Sequence, residues 1–461
     1  MHHGIRNAWF SAVALASVAA CRADIVTEGA VIPAPFNVKG NKTVSDLVIG
    51  NMNMGTLQIT AGSVLTVDPG SGRGFGSATF GMRGLGKGTI TGKGSSLTTK
   101  GDIRLGDTVS TGQVQVENGG NIKSGANLAI GLGFGDGTLT ASGMQDGMAS
   151  SVSASGTLFI GIGGNGTVTI SGGATMMVGK DVMSGSGQSQ DFERIRVTGK
   201  GSKFSAGGNV QLNSGLTELE VSAGANFSAP NGTVLLGTGE GRVGRTGSDA
   251  NAMVKGNGSI LTAKTVDVGG DGSEIGGTGS LTIADGATVD ASVTVNKGGT
   301  LIGKKGVKNA DKNVKDNGGK VTVAPGDLNI GGSYAQLGGG NLEVDLQGVI
   351  AGQFGFLNIA GDADFAAGSI LDFAFMGPSP SQQLTFLTAT GGLNIAPSST
   401  NCAMGVFTCE FSGTSIHYEV ASTSQDLILV PLHTPVPEPS SLVLAGLGVA
   451  LMVGARRTRK A

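Results

Sequence analysis

The sequence predicts an all-β protein: a parallel β-helix (β-solenoid) of repeats of about 25–30 residues, with a C-terminal β cap. Three observations predict it. Short strands recur in which Thr alternates with aliphatic residues: Gly55-Thr-Leu-Gln-Ile59, Gly137-Thr-Leu-Thr140, Gly166-Thr-Val-Thr-Ile170 and Gly279-Ser-Leu-Thr-Ile283. An apolar-Gly step recurs at Ile49-Gly50, Phe80-Gly81, Leu105-Gly106, Ile130-Gly131, Ile160-Gly161, Val178-Gly179, Leu236-Gly237 and Val268-Gly269. Glycine makes up 84 of 461 residues, far above its usual share of about 7%.

Composition narrows the function classes. Charged residues are 14% and the net charge is −2, so there is no basic stripe to grip nucleic acid. Aromatics are 4%, and the only Trp is Trp9, which lies in the leader. That weighs against a lectin or carbohydrate enzyme that stacks sugars on Trp. Hydrophobic residues reach 39% and are patterned, which favours a packed β structure over disorder.

Residues 1–23 read as a secretory signal peptide. Arg6 opens it, Ala8 to Ala20 form the apolar stretch, and cleavage is expected between Ala23 and Asp24. A rival reading cleaves before Cys21, with Cys21 bearing lipid. His2 and His3 go with the removed part and are not a metal site. Residues 24–45 carry Pro33 and Pro35 and are expected to begin the fold and cover its first edge.

Residues 46–302 are the repeats. The two-residue period puts Thr toward water and the aliphatic residue inside. Two kinds of turn follow the strands. One is Gly-x-Gly-Ser, as in Gly92-Lys-Gly-Ser95, Gly199-Lys-Gly-Ser202 and Gly256-Asn-Gly-Ser259. The other is a Gly bend, as in Asn118-Gly-Gly-Asn-Ile122 and Asp285-Gly-Ala-Thr-Val289. The 58-residue gap between Gly179 and Gly237 fits two turns, with Leu212-Asn213 as a degenerate step. About eleven turns at roughly 4.8 Å make a rod near 50 Å. No single turn buries its aliphatic face alone, so stability is shared along the stack. These strands and steps resemble the repeats of PEP-CTERM proteins and autotransporter passengers, and the departures from the pattern concentrate between Asp181 and Val234.

Residues 303–320 hold Lys304, Lys305, Lys308, Lys312, Lys315 and Lys320, and read as an exposed loop. Contact with an anionic exopolysaccharide is its functional reading, a solvated loop its plain one. Residues 321–431 alternate again and concentrate Phe. They resemble the C-terminal passenger segment that continues and caps such solenoids. Cys402 and Cys409 form an even pair in an oxidising compartment, which points to a disulfide worth on the order of 2–3 kcal/mol.

The motifs of catalysis and cofactor binding are weak. Gly161-Ile-Gly-Gly-Asn-Gly166 fits a dinucleotide fingerprint by letter, but a Thr-Val-Thr-Ile strand follows where a helix is needed. Gly269-Gly-Asp-Gly-Ser-Glu274 hints at a calcium nonapeptide, but it has Glu for Asp and does not recur. His417 and His433 are too far apart in sequence to suggest a triad or zinc site. No cofactor and no metal are expected.

Residues 432–461 set the destination. Pro437, Glu438 and Pro439 precede an uncharged run from Ser440 to Ala455, then Arg456, Arg457, Arg459 and Lys460. As a helix, residues 440–455 would reach about 24 Å, short of a hydrocarbon core of about 30 Å. The flanking Arg residues can snorkel to make up part of the difference. The basic end stays cytoplasmic and the rest of the chain lies outside. The tail resembles the PEP-CTERM sorting signal. That resemblance implies a Gram-negative host, transient anchoring in the inner membrane, and an exosortase that cuts near the motif. The expected function is a non-catalytic structural or interaction protein at the cell surface or in the exopolysaccharide matrix. The alternatives are a β-helix carbohydrate-active enzyme and a surface adhesin.

Overall fold

The structure is a computed structural model that describes residues 26–27, 36–71, 75–185, 192–212, 216–237, 249–270, 277–304, 307–308, 312–377, 381–396, 408–412 and 417–432. Every regular element among them is a β-strand, and almost all pair in parallel. One face is a 15-stranded sheet that receives one strand from each turn, from Phe36–Val38 to Thr408–Ser412. At about 4.8 Å per strand it extends for roughly 70 Å. Ten of its strands fall between Gly55–Ile59 and Gly299–Lys304, one fewer than the sequence spacing suggested.

The other two faces join into a 22-stranded sheet. Strands such as Asn226–Leu236 and Ile260–Val268 round the corner between those faces without a break. Inside runs a single apolar column from Val38 to Leu429. Burying each such side chain stabilises by about 1.5–3 kcal/mol. Identical positions stack from turn to turn: the rings of Phe204 and Phe227 lie 4.8 Å apart and nearly parallel.

Three corners hold the turns in register, each by a different device. At the first, the Ser of the Gly-x-Gly-Ser turn is buried. Ser202 Oγ donates to the Thr198 carbonyl in its own turn (2.8 Å) and accepts the Gly173 amide from the turn before (3.0 Å). Ser259 and Ser150 repeat both bonds, and Ser95 accepts the Gly62 amide. At the second corner, a polar side chain accepts the amide of its counterpart one turn later. Asp102 takes Asn127, Asn127 takes Thr157, Asp181 takes Asn209, Asn209 takes Thr233, and Asn313 takes Ser333. These bonds satisfy corner amides that the ladders leave over.

The third corner, in most turns, has no room for side chains. Gly106, at φ +69°, would drive a Cβ into the Asp136 carbonyl. Gly112, at the start of the next strand, would drive one into the Gly106 amide. This is the apolar-Gly step read from the sequence, now with a cause: two backbones touch there.

The step row corrects one sequence expectation. Ile160 pairs with Ser184, so the sixth step is Ser184-Gly185, and Val178-Gly179 belongs to the preceding corner. The row then runs through Leu212 and Leu236. The apolar residue was missed because Ser184 replaces it, next to two further polar replacements. Glu193 and Thr217 stand where other turns have Gly166 and Gly137. Thr217 Oγ1 donates to Glu193 Oε2 at 3.1 Å, and Ser184 and Thr217 place their hydroxyls 3.4 Å apart.

The Lys-rich segment is the second correction. It is built into the solenoid, with Gly299–Lys304, Val307–Lys308 and Val314–Asn317 as strands. Val314 and Asp316 are buried and alternate with exposed Lys315 and Asn317. The charge run hides a strand period of two. From Val307–Lys308 a new six-stranded sheet starts. It ends in two antiparallel strands, His417–Ser422 and Asp426–Leu432, the latter paired with Leu384–Ala389. Parallel stacking stops there, and His417–Ser422 forms the last strand of that sheet.

Candidate functional site: outward ladders and the sorting tail

The outer side of the 15-stranded sheet carries the regular polar display. Its two outward positions stack as Thr138 on Thr167 and Thr140 on Thr169, preceded by Gln113 and Gln115. In the next turns the same positions become charged. Arg194 pairs with Glu218 at 2.8 Å, and Glu220 is held between Arg196 at 3.1 Å and Lys255 at 3.2 Å. The two arginine pairs join register partners in neighbouring turns, and Lys255 reaches Glu220 from the next turn, two residues off register. Burial by itself would raise Glu220, but the hydrogen bond and charge of Lys255, with Arg196 beside it, hold its carboxyl below the usual carboxylate range. Such half-exposed pairs contribute little each, about 0–1 kcal/mol, so they select register more than they stabilise.

Toward the C-terminal end the same face turns acidic. Glu343 stacks on Asp372. Lys320 pairs with Glu343 at 2.6 Å, and Thr322 donates to Glu343 Oε1 at 3.2 Å. Asp345, two residues on, is almost covered. Burial first, then the charge of Glu343, pushes it up to about 6 against the opposing charges of Lys320 and Lys304. Of the six lysines read as a polysaccharide contact, Lys320 is committed to Glu343 and Lys312 to Asp290 at 3.4 Å.

A separate apolar ridge follows the glycine corner at the N-terminal end. Met52, Met54, Val109 and Phe134 lie in three of its first four corner turns, the turn Gly81–Gly86 contributing none, and are each more than half exposed.

The remaining sequence-predicted sites are placed as follows. The dinucleotide-like run opens the strand Gly166–Ser171. Of the nonapeptide-like run, only Gly269 and Gly270 are described. His417 begins a cap strand; His433 lies outside the described residues. Cys409 sits in Thr408–Ser412, in register with Leu371, while Cys402 lies outside the described residues. Ala23, Asp24, Pro437, Glu438, Pro439, residues 440–455, Arg456, Arg457, Arg459 and Lys460 also lie outside them. What the structure adds for the tail is spacing: the last strand ends at Leu432, five positions before Pro437. Among the described residues there is no group of three or more His, Cys, Asp or Glu arranged to hold a metal ion.

Sequence reasoning missed the polar ladder of the second corner. Its signal was present as the Asp or Asn that opens Asp46-Leu-Val-Ile-Gly50, Asp102-Ile-Arg-Leu-Gly106, Asn127-Leu-Ala-Ile-Gly131 and Asp181-Val-Met-Ser-Gly185. Read with the step, that residue would also have placed Ser184 correctly.

Comparison with known proteins finds similarity in the body and in the tail. The crystal structure of the Haemophilus influenzae Hap adhesin is similar over 86% of this chain and 56% of that one, at 11% identity and a TM-score of 0.25. This chain therefore spans little more than half the length of that structure. No curated protein matches. The profile of the PEP-CTERM protein-sorting motif matches residues 435–460. The chain is thus a β-solenoid with a PEP-CTERM sorting motif at its C-terminus, the mark of an exported protein that an exosortase sorts to the cell surface.

Proposed function

We propose that this is a non-catalytic structural or interaction protein of the envelope or exopolysaccharide matrix. It is exported by its leader, cleaved between Ala23 and Asp24, and held briefly in the inner membrane by residues 440–455. Exosortase then cuts near Pro437, Glu438 and Pro439 and passes the rod outward. The observation that carries the reading is the close joining of body and tail. Fifteen strands stack in one sheet, and the cap that ends the fold lies five positions from the sorting motif. Seven residues separate Leu432 from the membrane run at Ser440 and reach at most about 25 Å, so the folded cap stays close to the membrane until the tail is cut. Repeating polar and charged ladders support a role in display. A long, evenly hydrogen-bonding face can contact an extended polymer at many weak points, and such contacts multiply in effect.

The test replaces Pro437, Glu438 and Pro439 together by Ala in the full chain. The solenoid should still fold, because the motif lies beyond its last strand, and the protein should remain in the membrane fraction. Recovery of the triple variant in the medium or matrix at the level of the unaltered chain would remove the proposed route.

A further inference from the structure

The step row that stacks Val268, Val295 and their counterparts changes character at two consecutive turns. Val295 is followed in register by Asp316, then Gln336, then Phe365 and Ile395. Both polar residues are fully buried. Gln336 is well supplied: its amide donates to the carbonyls of Gly340 (2.6 Å) and Ile370 (2.9 Å), and its oxygen accepts from Tyr334 Oη (3.0 Å). Asp316 is not. Oδ1 accepts the Gly319 amide at 2.8 Å, while Oδ2 has no hydrogen-bond partner. A Cβ added to Gly340 would lie 2.6 Å from Oδ2, so the backbone closes over that oxygen.

A carboxylate in this position needs a counter-charge, and none faces it. Tyr334, packed against Phe365, is the titratable group beside it, and the charge of Asp316 adds to burial in pushing that phenol upward. The other charged groups on the packed strands turn outward. Lys312 pairs with Asp290 and Lys320 with Glu343, Lys315, Asp362 and Asp364 are exposed, and Asp345 lies on the outer side of its strand. Burying an unpaired charge is costly enough that such a group takes up a proton instead.

We propose that Asp316 is a proton-dependent lock on the C-terminal turns of the solenoid, tight when the buried carboxyl is neutral and loosened when it ionises. Burial pushes its carboxyl up to about 7 despite the amides of Gly319 and Asn341. In the unfolded chain an Asp titrates near 3.9. The folded value is the higher one, so the stabilisation is complete below about pH 4. It declines as pH rises toward 7 and changes little beyond. The turns from Val314 to Leu346 would therefore be firmest in an acidic exterior and most easily opened at neutral pH.

The experiment is hydrogen exchange on the full chain between pH 4.5 and 8, corrected for intrinsic exchange and compared with Asp316→Asn and Asp345→Asn. The opening equilibrium of amides in 314–346 should rise on the order of a hundredfold over that range in the unaltered chain. The rise should persist in Asp345→Asn and be largely absent in Asp316→Asn. Equal pH dependence in the unaltered chain and Asp316→Asn would overturn the proposal. So would loss of the rise in Asp345→Asn alone. Should Asp316→Asn fail to fold, infrared spectroscopy of the unaltered chain decides. The carboxyl band is read against Asp345→Asn, which removes the other raised carboxyl of these turns: a protonated carboxyl band at pH 5.5 that persists in Asp345→Asn and fades through neutrality supports the lock, and its absence from that variant refutes it.

Discussion

At the scale of single residues, small polar side chains do the work that large apolar ones do in most cores. A buried serine at the first corner makes one bond within its turn and one to the turn before. Along that corner the ladder alternates: Ser150 stacks on Ala174, Ala174 on Ser202, Ser202 on Ala225, and Ala225 on Ser259. Ser202 and Ser259 face an alanine on either side, and Ser150 lies between Gly120 and Ala174, so each hydroxyl binds backbone and not another hydroxyl. Replacing Ser202 by Ala should cost about 1–3 kcal/mol, because it leaves the buried Gly173 amide without a partner. Thermal or denaturant unfolding measures it.

At the scale of the turn, the unit is interchangeable when its length respects the register. Leu105 pairs with Ile130 three residues into their strands, and the glycines that follow are Gly106 and Gly131. Deleting residues 106–130 removes one whole turn of 25 residues and joins Leu105 to Gly131. The shortened chain should fold cooperatively with lower stability, because nearest-neighbour contacts re-form across the junction. Deleting only residues 106–118 should abolish that folding, since it leaves half a turn and no continuous ladder. Circular dichroism and unfolding curves distinguish the two outcomes.

The same unit explains what could be read in advance. The Thr-aliphatic alternation and the apolar-Gly step were legible because each answers a constraint repeated in every turn: an inward row and a backbone contact. The sixth step was not legible, because Ser184 breaks its apolar half while Glu193 and Thr217 replace the glycine near the start of the next two strands of the long sheet. The strand at Val314–Asn317 was hidden for a different reason. Its inward residue is Asp316, a charge-bearing type, and the lysines around it read as a solvated run. The outward ion pairs of Arg194, Arg196, Glu218, Glu220 and Lys255 depend on register across turns, which a linear reading does not supply.

At the scale of the molecule, the two ends differ. The long sheet grows by parallel addition from Phe36–Val38, and the cap at Asp426–Leu432 ends the six-stranded sheet by antiparallel pairing. The body was predictable as a class from its repeats. The destination was predictable only from the tail, where three features follow one another in a fixed order: Pro437-Glu438-Pro439, an uncharged run, and a basic end. The central claim is that the solenoid is carried to the surface and freed from that tail. The intact mass of the protein recovered from the cell surface and medium tests it most directly. The account predicts a chain that begins at Asp24 and ends near Pro437–Pro439. A chain that keeps Arg456 to Ala461 and stays in the membrane fraction would contradict it, and would make the tail a permanent anchor.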